Sequence, residues 1–324
     1  MKKILITGAN GYIGSCLFQI LKRKFKVIGI DKEKSSNKKV FQCDILNNRK
    51  LNLIIKKEKP EVIVHLAAQS LVDETINKEK YYTNNNKATA CLLEIMEKND
   101  IKKIIFSSTA AIYQQSSNPL KENSKIKALS TYAKTKLLCE KKIQKEKKLK
   151  SIILRFFNVC SALDKPITGE FHNPETHLIP TIVYKAMFNK KIYIYGNDFN
   201  TPDGTCIRDY IHIKDICSAI EKSIIYISNN NKSKIFNIGN RKGLSNNQIV
   251  NYIQKRIKNE MNIKYVNRRK GDVSKLICDS NYIKKILNWD AKNSNIKKIV
   301  DDEIRWISKF TNSGLERKFK NYLK

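Results

Sequence analysis

The sequence has no long apolar run and only 4 histidines, and each lack excludes a class of protein. Apolar residues never approach the ~20 consecutive positions that a membrane-spanning helix needs. The apolar stretch at the start, Ile4 to Ile6, is too short for a signal-peptide core. No histidine has the spacing of a zinc site. These absences predict a cytoplasmic protein with no membrane segment and no bound metal.

The cysteines give no sign of a disulfide framework. The 8 cysteines form no Cys-x-x-Cys pair and no cluster with histidine, and most of them stand beside apolar residues. This pattern favours buried, reduced thiols over disulfides or metal ligands.

Acidic residues are scarce, 30 against 63 Lys and Arg, so the formal net charge is +33. A nucleic-acid footprint would cluster its positive charge on one element. The lysines instead run through almost every predicted helix and loop, which is typical of a solvated surface. We therefore expect no specific nucleic-acid partner.

What the chain does have is an alternation of short apolar strands with helices. Its 324 residues suffice for two domains, or for one large domain with an appended lobe. Strands are predicted at residues 3–7, 27–30, 40–43, 62–66, 104–107 and 151–154, and helices at 13–24, 52–58, 82–99 and 131–148. Apolar strands separated by helices indicate a parallel sheet covered on both faces. The predicted fold class is α/β, a doubly wound parallel-sheet (Rossmann) domain with a smaller α/β C-terminal lobe, and its ligands should lie at the carboxyl ends of the strands.

A glycine-rich turn stands between the first predicted strand and helix. Gly8, Gly11 and Gly14 are spaced G-x-x-G-x-x-G, which suits a tight turn that brings the backbone and a helix N-terminus close to a pyrophosphate. Asp31 ends the second strand, where a carboxylate binds ribose hydroxyls and favours NAD over NADP. Asp44, after the third strand, either meets the adenine or caps the strand end. The turn therefore predicts NAD binding.

Tyr132 and Lys136 are one helical turn apart and so share a helix face. A phenol, with a pKa of about 10, is a poor base at neutral pH. The ammonium of Lys136, helped by a positive nicotinamide ring, is expected to lower that pKa and to make Tyr132 a general base. Thr109, at the end of the strand that precedes this helix, offers a hydroxyl to the same substrate oxygen. These three residues are the predicted catalytic group.

In this order the motifs resemble the extended short-chain dehydrogenase/reductase superfamily over nearly the whole chain, and most closely its UDP-glucose 4-epimerase (UDP-galactose 4-epimerase) family. The stretches that carry the resemblance are GANGYIGS, HLAAQSLVDET, FSSTAAIY, YAKTK, GEFHNPETHLIP, TPDGTCIRDYIH and RRKGD.

The resemblance implies an isomerase with tightly bound NAD that inverts the C4 hydroxyl of UDP-glucose or UDP-galactose through a 4-keto intermediate. It implies an NAD-binding domain at residues 1–160 and a UDP-sugar-binding lobe at 161–324, with segments near 207–240 returning to the first domain. It also implies a homodimer joined through the helices at 82–99 and 131–148, with an apolar seam of Leu137, Leu138 and Ile143.

The site residues that the resemblance implies fall into two groups. The cofactor is expected to contact the three glycines, Asp31, Tyr132 and Lys136, together with Tyr12, Ile13, Asp44, Ile45, Leu66, Ala67, Ala68, Asn84 and Phe157. The UDP-sugar is expected to contact Thr109, Asn158, His177, Leu178, Tyr195, Arg208, Arg269, Asp272 and Leu276.

Several other functions compete within this fold. A sugar-nucleotide 4,6-dehydratase would carry an Asp-Glu pair just after the strand-end threonine, where this chain has Ala110 and Ala111. A nucleotide-sugar reductase, a 4-epimerase of UDP-N-acetylglucosamine or of UDP-xylose and UDP-arabinose, and a basic NAD-sensing or RNA-binding protein without catalysis stay open. In the family, the position of Leu276 borders the C2 substituent of the sugar, and a bulky Tyr there blocks an N-acetyl group. Leu276 predicts that N-acetylated sugars are also accepted.

Overall fold

The computed structural model describes residues 1–70, 77–165, 167–170, 175–269 and 271–312. Parts of the motifs HLAAQSLVDET, GEFHNPETHLIP and RRKGD lie outside these ranges. In chain order the strands are β1 (Lys3–Thr7), β2 (Lys26–Asp31), β3 (Val40–Gln42), β4 (Val62–His65), β5 (Lys103–Thr109), β6 (Lys150–Phe156), β7 (Asn158–Cys160), β8 (Leu163–Asp164), β9 (Ile167–Thr168), β10 (Ile192–Tyr195), β11 (Ile207–His212), β12 (Lys234–Ile238), β13 (Gly243–Ser245), β14 (Ile263–Val266) and β15 (Lys275–Leu276).

The helices differ from the predicted ones mainly at their ends. They are α1 (Tyr12–Leu21), α2 (Asn48–Glu58), α3 (Lys78–Tyr81), α4 (Ala88–Lys98), α5 (Thr131–Lys145), α6 (Leu178–Met187), α7 (Ile213–Asn230), α8 (Asn246–Ile257), α9 (Asn281–Leu287) and α10 (Ile296–Asn312). The predicted helix at 82–99 was wrong as one element, because a π-helical segment, Tyr82–Lys87, precedes α4. The predictions at 13–24 and 131–148 ran three residues too far. Lysine favours helix without apolar contact, so a run of lysines does not show where a helix ends.

The central sheet confirms the predicted doubly wound architecture. Its seven strands lie in the order β12-β6-β5-β4-β1-β2-β3, and all neighbouring pairs are parallel. Ile4 of β1 pairs with Val27 on one side and with Val62 on the other, so the strand order reverses next to β1. Apolar side chains on both faces pack under helices, including α1 and α7 on one face and α2 and α4 on the other. Such a reversal leaves a crevice at the carboxyl ends of the strands.

A second apolar core lies beyond the central sheet. It is built from one face each of α6, α8 and α10 together with β10, which pairs with β14. We call these elements the second lobe, and the seven-stranded sheet with its helices the first lobe. A third group of short strands, β13-β11-β15 with β7 beside β11, stands next to both.

The chain returns to the first lobe after β11. Helix α7 packs on α1, and β12 pairs with β6 at the edge of the central sheet. In the part of the chain that the structure describes, no helix has the length and apolar character needed to cross a bilayer. The cysteines are free thiols, and all except the half-buried Cys91 are buried, as their apolar neighbours predict.

Candidate active site

A cleft of about 1370 Å³ opens at the carboxyl edge of the central sheet and reaches the second lobe. Nearly all the residues that sequence analysis selects line it: Gly8, Gly11, Tyr12, Ile13, Gly14, Asp31, Asp44, Ile45, Leu66, Ala67, Ala68, Asn84, Thr109, Tyr132, Lys136, Phe157, Asn158, His177, Tyr195, Arg208, Arg269 and Leu276. The topological switch next to β1 therefore brings together residues that lie far apart along the chain.

The glycine turn after β1 has a shape that only glycine permits. Gly8 has a φ of +69°, and a Cβ on Gly14 would overlap the carbonyl oxygen of Gly8. Gly11 is the N-cap of α1 and supplies no side-chain hydrogen bond, whereas Ser130 caps α5 with its hydroxyl. The first N–H groups of α1 thus face the cleft without a side-chain acceptor. This cradle fits the pyrophosphate of a dinucleotide.

Asp31 is held at the end of β2 by backbone hydrogen bonds. One carboxylate oxygen accepts from the N–H of Asn10 (2.9 Å) and the other from the N–H of Glu33 (3.0 Å). Asp44 accepts the N–H of Leu46 (2.9 Å), so it caps the chain after β3 while also lining the cleft. A fixed carboxylate one strand away from the glycine turn fits the adenosine ribose of NAD.

The predicted catalytic group is assembled from β5 and α5. The Ser130 hydroxyl accepts the N–H of Ala133 (3.1 Å) and starts α5, which puts Tyr132 and Lys136 on the cleft face. The side chains of Tyr132 and Thr109 both line the cleft and lie close to each other. The Lys136 ammonium donates to the carbonyl oxygen of Ser107 (2.8 Å) and lies 4.9 Å from the ring centroid of Phe106.

The expected lowering of the Tyr132 pKa is not found in this structure. Burial raises the pKa of Tyr132 to about 12, and the hydrogen bond with Thr109 offsets only part of that effect. Burial also lowers the pKa of Lys136 to about 8, because the charged ammonium is less well solvated inside the protein than in water. The predicted lowering includes the positive charge of a bound nicotinamide ring, so it stays a prediction; in the protein alone, desolvation is the largest influence on both side chains.

A buried polar network behind α5 was missed by the sequence analysis. Glu140, one turn after Lys136, forms a two-pronged salt bridge with Arg155 of β6 (3.0 and 2.7 Å). The same carboxylate accepts the hydroxyl of Ser108, and the guanidinium donates to the hydroxyl of Tyr113 (2.8 Å). These bonds fix α5 against β5 and β6. A glutamate on the apolar face of a lysine-rich helix was the only signal that the sequence offered.

The opposite side of the cleft carries arginines and an aromatic ring. Arg208 on β11 lies 3.6 Å from the carboxylate of Asp272, and the guanidinium carbon of Arg269 stands 4.0 Å from the ring centroid of Tyr195. Leu276 on β15 pairs with Arg208 in the sheet, which places its side chain in the cleft.

Two predicted contacts do not line the cleft. Leu178 is the first residue of α6 and packs, partly buried, on the core of the second lobe. Asp272 is exposed, and its carboxylate lies 3.6 Å from the guanidinium of Arg208. Neither position could be predicted from the sequence, because each depends on how a helix or loop is oriented relative to the cleft.

A charged group at the edge of the cleft involves His177 and a residue that sequence analysis missed, Glu170. The Nδ1 of His177 lies 2.9 Å from Glu170 and 3.0 Å from Glu175. Burial would lower the pKa of His177, but these two carboxylates raise it well above its usual value. Glu170 lies inside the quoted GEFHNPETHLIP motif, which was the available signal.

Known proteins share this architecture and these motifs. The model of the NAD dependent epimerase/dehydratase family matches residues 4–239. The UDP-glucose 4-epimerase of Streptococcus mutans is 35% identical over 324 residues, which cover 95% of this chain and 97% of the relative. The structure of the Bifidobacterium longum UDP-glucose 4-epimerase in complex with NAD⁺ and UDP matches with a TM-score of 0.88 and 26% identity, over 96% of this chain and 99% of that one. The UDP-Glc/GlcNAc 4-epimerase of Campylobacter jejuni matches with a TM-score of 0.80 and 31% identity, over 95% and 100%. This chain belongs to the NAD dependent epimerase/dehydratase family.

Proposed function

We propose that this protein is an NAD-dependent UDP-sugar 4-epimerase that interconverts UDP-glucose and UDP-galactose. One observation carries the proposal: the side chains of Tyr132 and Thr109 stand close together in a single cleft between the glycine turn and the arginines of the opposite side. A cofactor and a nucleotide sugar could therefore both bind next to the Tyr132 hydroxyl.

The first lobe offers the residues that would hold the cofactor. The N–H groups after Gly11 would bind the pyrophosphate, Asp31 the adenosine ribose, and Lys136 the nicotinamide ribose, with Phe157 beside the ring. When bound, NAD⁺ would supply reversible hydride acceptance at the C4 position of the sugar and a positive charge beside Tyr132. The domain division at residue 160, with α7 and β12 returning to the first lobe, is part of this proposal.

The chain itself moves the proton. Tyr132 takes the proton from the C4 hydroxyl and, once the 4-keto sugar has turned its other face toward the cofactor, returns it to the same oxygen, with the Thr109 hydroxyl close to the phenol. The Lys136 ammonium, fixed by the Ser107 carbonyl, keeps a positive charge close to this proton transfer. Since the proton returns to the oxygen that it left and the hydride to the same carbon, the product differs from the substrate only in the configuration at C4.

The opposite side of the cleft would hold the UDP group. Arg208 and Arg269 present guanidinium donors, which suit a diphosphate. Tyr195, with 36% of its surface exposed, offers a ring face to the uracil. Asn158 and His177 also lie on the cleft wall. The sugar would thus be anchored by its nucleotide and left free to turn.

N-acetylated sugars are proposed as further substrates. Leu276 lines the cleft without an aromatic ring, so the space next to the sugar C2 stays open. One of the structural neighbours is named as a UDP-Glc/GlcNAc 4-epimerase, which supports this breadth. An apolar slot changes affinity by only ~1–3 kcal/mol per small group, so it permits the N-acetyl group without requiring it.

A homodimer through α4 and α5 is also proposed, from the exposed apolar side chains of this region. Leu138 is 37% exposed and Tyr82 42% exposed, and both belong to this helical region. Ile143, expected in the apolar seam, is instead buried in the core of the first lobe. Sedimentation of the purified chain at micromolar concentration and moderate salt would show the dimer, and a monomer alone would contradict it.

The deciding experiment is turnover without added cofactor. Purified protein is incubated with UDP-galactose, UDP-glucose or UDP-N-acetylglucosamine, and the products are separated. A 4-epimerase with tightly bound NAD converts these sugars with no added NAD, whereas a reductase would need a stoichiometric supply of NAD(P)H. A dehydratase would instead form a 4-keto-6-deoxy product, which Ala110 and Ala111 on the cleft wall disfavour because neither transfers a proton.

A further inference from the structure

Asp209 lies next to Arg208 on β11, and the mechanism described above gives it no part. Its side chain is 0% exposed. Its carboxylate accepts hydrogen bonds from three backbone N–H groups, those of Asn240 (2.7 Å), Arg241 (2.9 Å) and Cys278 (3.1 Å). Hydrogen bonds to a carboxylate are about twice as strong as those between neutral groups. Asp209 therefore holds two other segments of the chain against β11, one that follows β12 and one that follows β15.

The first of these segments is shaped to receive an anion. Arg241 has a φ of +65°, and the successive N–H groups of Asn240 and Arg241 converge on one carboxylate, as they do in anion-binding nests of the backbone. Gly239, just before them, leaves the necessary space. A Cβ at this position would overlap the Cβ of Cys278 and would lie 3.0 Å from an oxygen of Asp209. The backbone of this segment is thus built around the Asp209 carboxylate.

Strand β11 changes its partner strand at Asp209. Arg208, before it, pairs with Leu276 of β15, and Tyr210, after it, pairs with Asn158 of β7. β15 belongs to the opposite side of the cleft, whereas β7 follows directly on β6 of the first lobe. Asp209 therefore stands where the two sides of the cleft meet.

The segments that Asp209 holds lead directly to the cleft. The segment after β15 is anchored two residues beyond Leu276, which lines the cleft. In the other segment, Asn240 is two residues beyond Ile238, whose carbonyl oxygen accepts the N–H of Phe157 (3.0 Å), another residue of the cleft lining. Loss of the carboxylate would release an anchor on both sides of the cleft.

We propose that Asp209 is a positioning residue for the nucleotide side of the cleft, because it fixes Arg208 on β11 relative to Leu276 on β15. The inference rests on the UDP site of the proposed function. Asparagine cannot replace Asp209, since an amide offers one acceptor oxygen where the three N–H groups use two. At least one buried N–H group would then lose its partner, and Arg208 would lose its fixed position for the diphosphate. Tyr132 and Lys136 stand on α5, so the proton transfer should be little affected.

The test compares UDP affinity in the wild-type chain and in Asp209→Asn. Burial raises the pKa of Asp209 to about 7, although the three N–H groups oppose this effect, so binding is measured by calorimetry at about pH 8, where the carboxylate is ionised. We expect the variant to bind UDP more weakly by ~10-fold or more, as after the loss of a charged hydrogen bond. KM for UDP-galactose should rise by a similar factor while kcat stays within ~3-fold, a split that a general loss of folded protein would not produce.

Asp215→Asn is the matched control. Asp215 is also a buried aspartate, 2% exposed, and it accepts the N–H of Asn293 (2.8 Å) and the hydroxyl of Ser294 (2.6 Å). These partners lie outside the cleft lining. The control should therefore lose stability, measured as a lower Tm, and still bind UDP as the wild type does.

A second measurement uses the unmodified chain, in case Asp209→Asn folds poorly. If the contacts of Asp209 support the UDP site, saturating UDP must stabilise these contacts in return. Hydrogen exchange, followed by mass spectrometry, should slow by ~5-fold or more in peptides that contain Asn240, Arg241 and Cys278. Exchange around Asn293, which Asp215 holds, should stay unchanged.

The inference is overturned if Asp209→Asn binds UDP as tightly as the wild type, if both variants lose equal affinity, or if UDP leaves the exchange at Asn240 and Cys278 unchanged. A wild-type chain that binds no UDP would contradict the UDP site of the proposed function, and this inference with it. The two failures are distinguishable, because only the second abolishes UDP binding by the wild type.

Discussion

The two sides of the cleft differ in how their residues are brought together. On the first-lobe side, Gly8, Gly11 and Gly14 belong to a single turn, and Tyr132 and Lys136 to one turn of α5. On the opposite side, Arg208 comes from β11 and Leu276 from β15, and the ring of Tyr195 on β10 meets Arg269 beyond β14. The first side is set by local spacing, and the second by contacts between distant segments.

We expect the first-lobe side of the cleft to be the rigid part of the site and the opposite side to be the part whose side chains can adjust to the ligand. The first-lobe side stands on a parallel sheet and on the buried salt bridge between Glu140 and Arg155, whose side chains are 1% and 4% exposed. Across the cleft, Arg208 and Asp272 are 3.6 Å apart and partly exposed, and the Tyr195 ring is open to solvent on one face. We therefore expect changes on the first side to abolish turnover or stability, and changes on the second to shift affinity and selectivity.

The largest expected effect is on turnover. Tyr132→Phe removes the group that exchanges the proton and should lower kcat by ~10²–10⁴, measured by product separation at saturating UDP-galactose. Tyr193→Phe is the control, because this exposed tyrosine stands outside the cleft lining and should keep normal turnover. Near-normal kcat in Tyr132→Phe would remove Tyr132 from the mechanism.

The next effect is on stability. Arg155→Met leaves the Glu140 carboxylate buried without its partner and should lower the free energy of unfolding by ~3–5 kcal/mol, measured in urea. Arg241→Met breaks an exposed pair with Asp290, both side chains being 35% exposed, and should cost only ~0–1 kcal/mol. Equal losses in the two variants would mean that the network behind α5 does not hold the first-lobe side together.

The same difference explains what sequence could and could not predict. Six of the seven strands of the sheet and the glycine turn follow from local patterns, because apolar runs and glycine spacing report directly on the backbone. The edge strand β12 was not predicted. The network of Glu140 and Arg155 was missed, since the sequence of a helix does not show which distant residue a charged side chain on it will contact. Leu178 and Asp272 do not line the cleft in this structure, and the sequence gives no sign of this because the rotation of an element relative to a cleft is a tertiary property.

An intermediate effect is expected on nucleotide affinity. Arg269→Ala removes a guanidinium from the cleft and should weaken UDP binding by ~10–100-fold, as losing a charged hydrogen bond of ~1.5–3 kcal/mol would do. The change should raise KM more than it lowers kcat, because the contact is remote from C4. Arg268→Ala is the control: Arg268 pairs with Asp198 (2.7 Å) and stacks on Phe199, outside the cleft lining. Equal UDP affinity in the two variants would exclude Arg269 from the nucleotide site.

The smallest change expected is in selectivity between substrates. Leu276→Tyr adds a ring where β15 borders the cleft, so it should lower kcat/KM for UDP-N-acetylglucosamine ~10-fold or more relative to UDP-glucose. Both substrates are measured with the same preparation, so errors in active concentration cancel. Leu276→Met keeps the apolar volume and should leave the ratio near that of the wild type. Equal losses on both sugars would mean that residue 276 supports the fold of the cleft wall and that another side chain borders the C2 substituent. A selective loss would show that one residue on the adjustable side sets substrate breadth while the first-lobe side keeps the chemistry.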